Sequence, residues 1–439
     1  MNKPTEHRPE QRSLERLSQA ELDEVLRRHE QYRKARLGGA RAVLSFFDLS
    51  GLDLSGRDLT DADLAGSNLA RAKLKGTILD RANMFACDLR EADLREASLL
   101  KTDLRGASLR GADLTAANLL DADMREGTLA ERDRRGELHR IQIEVGPAEM
   151  QRADFRGANL TRARLTGAAA SHVDFRDAIL KDCKLVRVDL RNADLSGADL
   201  QGSDLSGANF QGARLVGAIL SGTTQTLTEF GQADLTDVLS DRPVGKTADQ
   251  LEAPLDELLE LHAAWVASTG HSGRKLDLTD CDVRGEGSLA QMVLTALRAV
   301  RACFYGRDLS GAQMQAAVLE GADFRSCSLA RADLRGADLN GARLDRANLA
   351  GAALRPLSID KDRRLATQLR GASLRYADLS GTDLRGADLT GANLSHARLE
   401  GTDLDGAILE GADVTGTRLQ VTPAPAPQAR APAGTTRPK

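Results

Sequence analysis

Aromatic residues and long apolar runs are scarce in this 439-residue chain. Phe, Trp and Tyr together make up 3% of the residues, whereas glycine occurs 40 times. So few bulky side chains are typical of a narrow solenoid core rather than a wide globular one. No apolar run approaches a membrane span, and residues 1–8 contain no apolar signal segment. The sequence therefore predicts a soluble, cytoplasmic protein without a membrane span.

The chain also lacks an excess of charge of either sign. It has 60 basic and 64 acidic residues, which gives a formal net charge of −4. Proteins that bind nucleic acid directly usually carry a basic excess, and a strongly acidic chain would show the opposite imbalance. We therefore expect no direct nucleic-acid binding.

Motifs of the common enzyme classes are missing as well. The segment 306–311 reads Gly-Arg-Asp-Leu-Ser-Gly, which is repeat sequence rather than a nucleotide fingerprint. No serine or cysteine lies in a nucleophile elbow, and the seven histidines show no ligand spacing. We expect a protein that is not an enzyme, and we assign no catalytic, cofactor-binding or metal-ligating residue and no cofactor.

The five cysteines include no CxxC pair. Four of them precede a central apolar residue of the repeat by two positions: Cys87, Cys183, Cys281 and Cys327. Free cysteine behaves as a small buried hydrophobe. The spacing therefore favours core residues over metal ligands or disulfide partners.

What the chain has in abundance is the five-residue pattern Ala-Asp/Asn-Leu-x-Gly. Leucines recur every five residues, at 379, 384, 389, 394, 399, 404 and 409. Within one unit, Ala387 and Leu389 are two apart and face inward, whereas Asp388 and Thr390 face outward. Gly391 suits the tight corner that resets this alternation. The pattern predicts a coil of short strands whose axis is filled with Leu and Ala.

Large residues at the central position indicate how many units make one coil. They are spaced by multiples of 20 in three pairs: Phe155 and Phe175, Phe210 and Phe230, and Met84 and Met124. If four units close one coil, the members of each pair lie on the same face. We therefore favour four-sided coils.

The Ala-Asp/Asn-Leu-x-Gly pattern resembles the pentapeptide-repeat family over roughly three quarters of the chain. The resemblance implies a right-handed quadrilateral β-helix, an all-β solenoid with Leu or Phe as its central inward residue. Known members of this family include quinolone-resistance proteins that mimic DNA and bind topoisomerases. Most other members have no assigned activity.

The N-terminal half begins with a polar segment, 1–17, that we expect to be disordered. Ser18 and Glu21 form a capping box that opens a helix to about Arg36. The first array of repeats then runs from Leu49 to Leu129.

Residues 131–152 interrupt the repeats with a balanced set of charges. Ile141, Ile143 and Val145 alternate, so a short strand is predicted inside this segment. One interpretation is a solvated loop that bulges from a continuous stack of coils. The other is a partner-binding loop, because long loops on rigid scaffolds often carry function.

A second array, from Phe155 to Leu235, leads to an expected linker and a second helix from Pro254 to about Ser268. The segment 22–32 aligns without gaps with 255–265, and both lead through glycines into an array. We therefore predict two modules, each a helix that covers the apolar end of its coil. On this basis His29 and Trp265 are packing residues rather than catalytic ones.

The second module contains two further interruptions. Ser288 and Gln291 match a capping box, and an apolar stripe follows, which predicts an inserted helix over 288–304. This helix would pack on its own coil or in the groove of a partner. Repeat centres then continue to Leu419, except over 356–367, which we expect to be looped out.

The predicted organisation has five parts in chain order: a disordered N-terminus, a helix with the first β-helix (including loop 131–152), a linker, a helix with the second β-helix, and a disordered Pro/Ala-rich tail. Their bounds are 1–17, 18–237, 238–253, 254–419 and 420–439.

For function, we expect a non-catalytic scaffold that interacts with a protein partner. The alternative is a DNA-mimicking protein that binds gyrase or another topoisomerase, which rests on the family resemblance. Against it, Arg alternates with Asp along most of the chain, whereas DNA mimicry needs concentrated negative charge. A secreted effector on the same scaffold is a further alternative.

Overall fold

A computed structural model describes residues 14–132, 138–285 and 288–417. Within these ranges, side chains are described for all residues except those in 128–145. The chain divides into two compact units, Met1–Arg242 and Pro243–Lys439. Among the residues described, no helix is long and apolar enough to cross a membrane. The predicted disorder of residues 1–13 and of the tail 420–439 lies outside the described residues.

The regular elements in chain order are β1 (Glu15–Arg16), α1 (Gln19–Arg33), β2 (Phe47–Asp48), β3 (Gly127–Arg132), β4 (Leu138–Val145), β5 (Lys246–Thr247), a 3-10 helix (Ala248–Gln250), α2 (Leu255–Ala267), β6 (Cys281–Asp282), β7 (Leu357–Ser358) and β8 (Arg364–Leu365).

Each unit is a β-helix solenoid whose coils are joined by single parallel bridges. The bridges typically connect residues 20 apart in sequence, as between Asp63 and Asn83 or between Asp388 and Ile408. Four five-residue segments therefore make one coil, as the Phe spacing predicts. The rings of Phe155 and Phe175 lie on adjacent coils with centroids 5.1 Å apart and are tilted by 33°. Leu and Ala fill a separate core in each unit.

The corner of each segment follows from its Asp or Asn and its fifth residue. The Asp388 carboxylate accepts the backbone N–H of Thr390 at 3.0 Å, which closes the turn locally. The fifth residue takes a positive φ whether or not it is glycine, as shown by Gly391 at 66° and Arg71 at 58°. Polar outward residues thus build the corners while apolar inward residues build the core.

The first unit begins with a cap rather than with disorder up to residue 17. The predicted capping box is present, because the Ser18 N–H donates to the Glu21 carboxylate at 2.8 Å and the Glu21 N–H donates to the Ser18 hydroxyl. Leu22 and Leu26 of α1 pack into the first core. The expectation of disorder is wrong for residues 14–17, since β1 pairs in parallel with β2 and so adds to the first coil.

The second unit has a cap of the same kind. Pro254 is the N-cap of α2, which buries Leu258 and Leu259. The segment 238–253, which we predict as a linker, contains residues that pair with a coil at two points. Leu239 still bridges to Ile219 on the last coil of the first unit, and β5 pairs in parallel with β6.

The first interruption is a β-hairpin inserted between two residues of a continuous coil. Strands β3 and β4 pair antiparallel from Gly127 and Val145 at the base, and β4 contains the strand that the alternation predicts. The repeat resumes at Ala148 and Met150 rather than at Phe155, with both side chains buried.

The predicted helix over 288–304 is wrong. This segment continues the coil, because Val293 bridges to Gln313 and Arg298 to Val318. Gln291 has a φ of 61°, which is the conformation of a corner rather than of a helix start. Of the apolar residues in this segment, Leu289, Leu297 and Val300 are buried at repeat positions, whereas Met292 is 38% exposed.

The segment 356–367 is looped out as predicted. Strands β7 and β8 form a short antiparallel hairpin, and the coil continues around it, so that Asp338 bridges to Gln368. Thr367 fills the small inward slot after the hairpin and is fully buried.

Candidate interaction surfaces

The outer surface of both units carries recurrent pairs in which an Asp is followed two residues later by an Arg. In one example, Arg95 donates from Nε and Nη2 to the Asp93 carboxylate at 2.8 and 2.6 Å. These bonds hold the pKa of Asp93 below its usual value. The same geometry recurs in other pairs of this kind, including Asp103–Arg105, Asp123–Arg125, Asp189–Arg191, Asp333–Arg335 and Asp383–Arg385. Each such pair is locally neutral.

One face of the first unit links these pairs into a ladder. Five aspartates follow one another on bridged strands, at Asp93, Asp113, Asp154, Asp174 and Asp194. The guanidinium groups of the intervening arginines also approach the Asp of the next coil, at 3.7 to 3.9 Å, and are those of Arg95, Arg156 and Arg176. The carboxylates outnumber the arginines, but each arginine screens two of them.

The hairpin β3–β4 is the second candidate surface. The Ala148 N–H donates to the Met124 carbonyl at 3.0 Å, so the coil closes beneath the hairpin. Its two strands form a sheet of their own, which leaves each strand with one edge unpaired within that sheet. An unpaired edge is a template on which another chain can add a strand. The predicted bounds of this interruption are 131–152, whereas the inserted chain is 127–147.

The hairpin β7–β8 lies against its own coil. Leu357 and Leu365 pack over Gly336, where an added Cβ would meet their side chains at 2.9 and 3.1 Å. Its turn is closed by an ion pair between Arg363 and Asp360 at 2.6 Å. Packing on the coil makes this hairpin a useful internal reference for β3–β4.

The histidines of the two caps have structural contacts. Nδ1 of His29 accepts the Ala42 N–H at 3.0 Å, and Nδ1 of His262 accepts the Leu276 N–H at the same distance. Both rings are completely buried, and burial lowers the pKa of each histidine. The His262 ring also stacks on Trp265, with centroids 5.7 Å apart. These contacts join each helix to its first coil.

The part of the chain that the structure describes contains no group of three or more His, Cys, Asp or Glu residues that could hold a metal ion. All five cysteines are free and buried. Burial raises the pKa of the Cys87 and Cys183 thiols to about 12. Cys303 is also buried, although it stands at a bridging position that the repeat assigns to outward residues.

Comparison with known proteins identifies the repeats. A family model for pentapeptide repeats matches more than half of the chain, over residues 35–84, 86–126, 148–185, 183–222, 307–345, 327–355, 367–391 and 383–420. The comparison with curated proteins gives no match.

Several solved structures are similar to this chain. Full-length QnrB1, a plasmid-mediated fluoroquinolone resistance protein, is 20% identical over 46% of this chain and 92% of its own, with a TM-score of 0.33. HetL, a pentapeptide repeat protein involved in heterocyst differentiation regulation in the cyanobacterium Nostoc, is 23% identical over 88% of this chain and 93% of its own, with a TM-score of 0.13. A pentapeptide repeat protein from the thylakoid lumen of Arabidopsis thaliana is 27% identical over 33% of this chain and 69% of its own, with a TM-score of 0.15.

Proposed function

The chain belongs to the pentapeptide-repeat family, and on that premise we propose that it is a non-catalytic scaffold that binds a protein partner. The repeats supply two rigid coil stacks, and their outward residues pair with one another. Such surfaces present fixed shapes rather than reactive groups. An interaction role therefore fits them better than catalysis does.

The observation that supports this proposal is that the hairpin β3–β4 is inserted into a coil that closes beneath it. Since the Ala148 N–H bonds to the Met124 carbonyl, the fold does not need the inserted residues to continue. Long insertions on rigid scaffolds often hold the residues that recognise a partner. We assign partner recognition to this hairpin, with strand addition at one of its edges as the mode of binding.

We also propose that the two compact units are duplicated modules, each a helix followed by a right-handed quadrilateral β-helix. The gap-free alignment of 22–32 with 255–265 supports this. So do the buried histidines at equivalent positions of α1 and α2, which each accept a backbone N–H of the first coil. Each cap also has a two-residue strand, β1 or β5, before its helix.

The coil register allows a sharp test of partner recognition. Ser108 bridges to Glu149, 41 residues on, so deletion of 127–147 restores the usual spacing of 20. Deletion of 357–366 removes β7–β8 in the same way, because Asp338 bridges to Gln368 across those residues. Affinity purification from native lysate at modest salt should recover a specific partner with the full chain and with the 357–366 deletion, but not with the 127–147 deletion.

Two results would contradict the proposal. The first is that the full chain recovers no specific partner. The second is that the 127–147 deletion recovers the same partner as fully as the full chain does. Circular dichroism of both deletions serves as the control that each coil stack remains folded.

A DNA-mimicking topoisomerase-binding protein is the second candidate. The face that carries Asp93, Asp113, Asp154, Asp174 and Asp194 supports it, because parallel strands stack their side chains about 4.8 Å apart. The arginines within this ladder weaken the negative field that such mimicry needs. A gyrase supercoiling assay with the purified chain tests it. Absence of both inhibition and quinolone protection would remove this candidate.

A further inference from the structure

A cavity of about 570 Å³ lies in the second unit between α2, the segment 246–252 and the first coil. Two hydrogen bonds fix its walls. The Lys246 N–H donates to the Asp280 carbonyl at 3.0 Å, and the Leu276 N–H donates to Nδ1 of His262. Its volume is within the range of about 300–1,000 Å³ that is usual for small-molecule sites.

The carboxylates that line this cavity are all paired with arginines. Asp280 accepts two hydrogen bonds from Arg301, both at 2.7 Å, and Glu252 lies 2.9 Å from Arg274. The third carboxylate, that of Asp277, lies 3.6 Å from Arg298. No unpaired negative charge therefore faces the cavity from these residues.

The two lysines that line the cavity do not form ion pairs with carboxylates among the residues described. Neither Lys246 nor Lys275 has a carboxylate within 4.0 Å among the residues described, and the Lys275 ammonium lies 5.7 Å from the centre of the Trp265 ring. A contact with a ring face leaves the positive charge uncompensated by an anion. Together with Arg298 and Arg301, which pair with two of the carboxylates from outside the lining, five cationic side chains surround three carboxylates, an excess of positive charge.

A neutral group adds to this evidence. The Thr279 hydroxyl oxygen is buried and has no hydrogen-bond partner in the described part of the chain. Buried hydroxyl groups are nearly always hydrogen-bonded, so an unpartnered one on a cavity wall is a ready donor for a ligand. The remaining lining consists of Gln250, Cys281 and three leucines, Leu251, Leu258 and Leu276.

The cap of the first unit lacks the chain that forms one wall of this cavity. Only residues 17 and 18 separate β1 from α1, whereas residues 248–254 separate β5 from α2. This longer connection contributes Gln250, Leu251 and Glu252 to the lining. Since α1 covers its coil without such a connection, capping alone does not account for it.

We propose that this cavity binds a small organic anion, with an oxyanion head group at Lys246, Lys275 and Thr279 and a short apolar chain against the three leucines. Phosphate and carboxylate share the required chemistry, because both are compact anions that accept several hydrogen bonds. Binding would join the cap to the first coil and would stabilise the second unit by mass action.

Isothermal titration calorimetry of the full chain tests this inference with four probes: n-butyl phosphate, butyrate, n-butanol and n-butylammonium. Saturable binding is expected for at least one of the two anions, and the tighter of the two identifies the head group. No saturable binding is expected for the alcohol or the amine. Absence of binding by both anions, or equal binding of the amine, would overturn the inference.

Variants separate this site from general attraction of anions. Lys246→Gln should weaken anion binding about tenfold, because a charge-assisted hydrogen bond is lost, and Lys246→Arg should retain most of it. Thr279→Val should weaken binding as well. Lys361→Gln, a change in the exposed turn between β7 and β8, is the matched control and should bind as the unchanged chain does. Unaltered affinity in a folded Lys246→Gln protein would contradict the proposal.

Discussion

Ser108 bridges to Glu149 on the neighbouring coil, although 41 residues of sequence separate them. The preceding bridge on the same face, from Asp88 to Ser108, spans the usual 20. The difference is the hairpin β3–β4, which enters and leaves the coil without shifting its register. The hydrogen bonds between coils are formed on both sides of this corner and do not involve the inserted residues. The fold therefore tolerates a large insertion there.

The inward position of Leu389 gives the most direct test of the core. Its side chain is completely buried, so Leu389→Asp should lose the burial energy of leucine, about 1.5–3 kcal/mol, and add the larger cost of an unpaired buried charge. We expect the second unit to unfold, as seen in thermal melting by circular dichroism. Ile408→Asp, at a side chain that is 49% exposed on the next coil, is the control and should change the melting curve little. An unchanged curve for Leu389→Asp would contradict the inward assignment.

The positive φ at the corners predicts that two substitutions differ in their effect on stability. Gly391 has a φ of 66°, and no atom lies within 4 Å of an added Cβ, so Gly391→Ala should destabilise the second unit through backbone strain alone. The expected loss is about 1 kcal/mol. Ala316, with a φ of 52°, occupies the same kind of corner, and Ala316→Gly should not destabilise the unit. Chemical denaturation measures both, and equal losses in the two variants would exclude strain as the cause.

The two buried cap histidines should make the folded protein less stable in weak acid. Burial lowers the pKa of His29 and His262 below 6.5, so the neutral form is favoured in the folded state. Their contribution is fully present above about pH 6.5, the ordinary pKa of histidine, and is lost as pH falls below it. The melting temperature should therefore fall between about pH 6.5 and pH 5. In the double variant His29→Asn/His262→Asn this fall should be much smaller, because Asn accepts the backbone N–H without titrating. An equal fall in both proteins would contradict the explanation.

The cysteines should be unreactive in the native protein. All five are buried and free, and burial raises the pKa of the Cys303 thiol to about 11. Because the thiolate is the reactive form, a thiol reagent at pH 8 should label the native chain very slowly. It should label all five cysteines after unfolding in guanidinium chloride. Rapid native labelling of any of them would show that its coil is open.

Much of the fold could be predicted because the five-residue period records the coil directly. Leu389 and Ala387 are buried as the alternation requires. The spacing of 20 between Phe210 and Phe230 corresponds to stacked rings with centroids 5.1 Å apart. The start of α1 was also predictable, since a capping box is a local signal that needs no tertiary contact.

The error at 288–304 has a specific physical origin. In the segment around 297–299 the large and small inward residues are exchanged, so that Leu297 takes the small slot and Ala299 the central one, and both are fully buried. This exchange hides the period of five and leaves apolar residues three and four apart, as in a helix. Phe304 then stacks on Phe324 with centroids 4.8 Å apart, a third pair at a spacing of 20 that the helix prediction concealed.

The candidate sites were harder to predict than the coils. The loss of the five-residue period marks the interruption at β3–β4. It does not mark the residue at which the hairpin begins, because Gly127 and Thr128 still resemble repeat residues. The anion-binding cavity had no sequence signal of its own. Lys246 and Gln250 lie in a segment whose composition suggests a linker, and Thr279 stands within a repeat unit, so only the folded structure brings them together.

Affinity of the captured partner for the two in-register deletions tests the central proposal most directly. The partner recovered with the full chain would be purified and titrated against the full chain, the 127–147 deletion and the 357–366 deletion. The scaffold proposal predicts that loss of β3–β4 weakens binding by at least about 100-fold, which corresponds to about 3 kcal/mol, while loss of β7–β8 leaves it unchanged. Equal affinity of all three folded proteins would contradict the assignment of recognition to β3–β4.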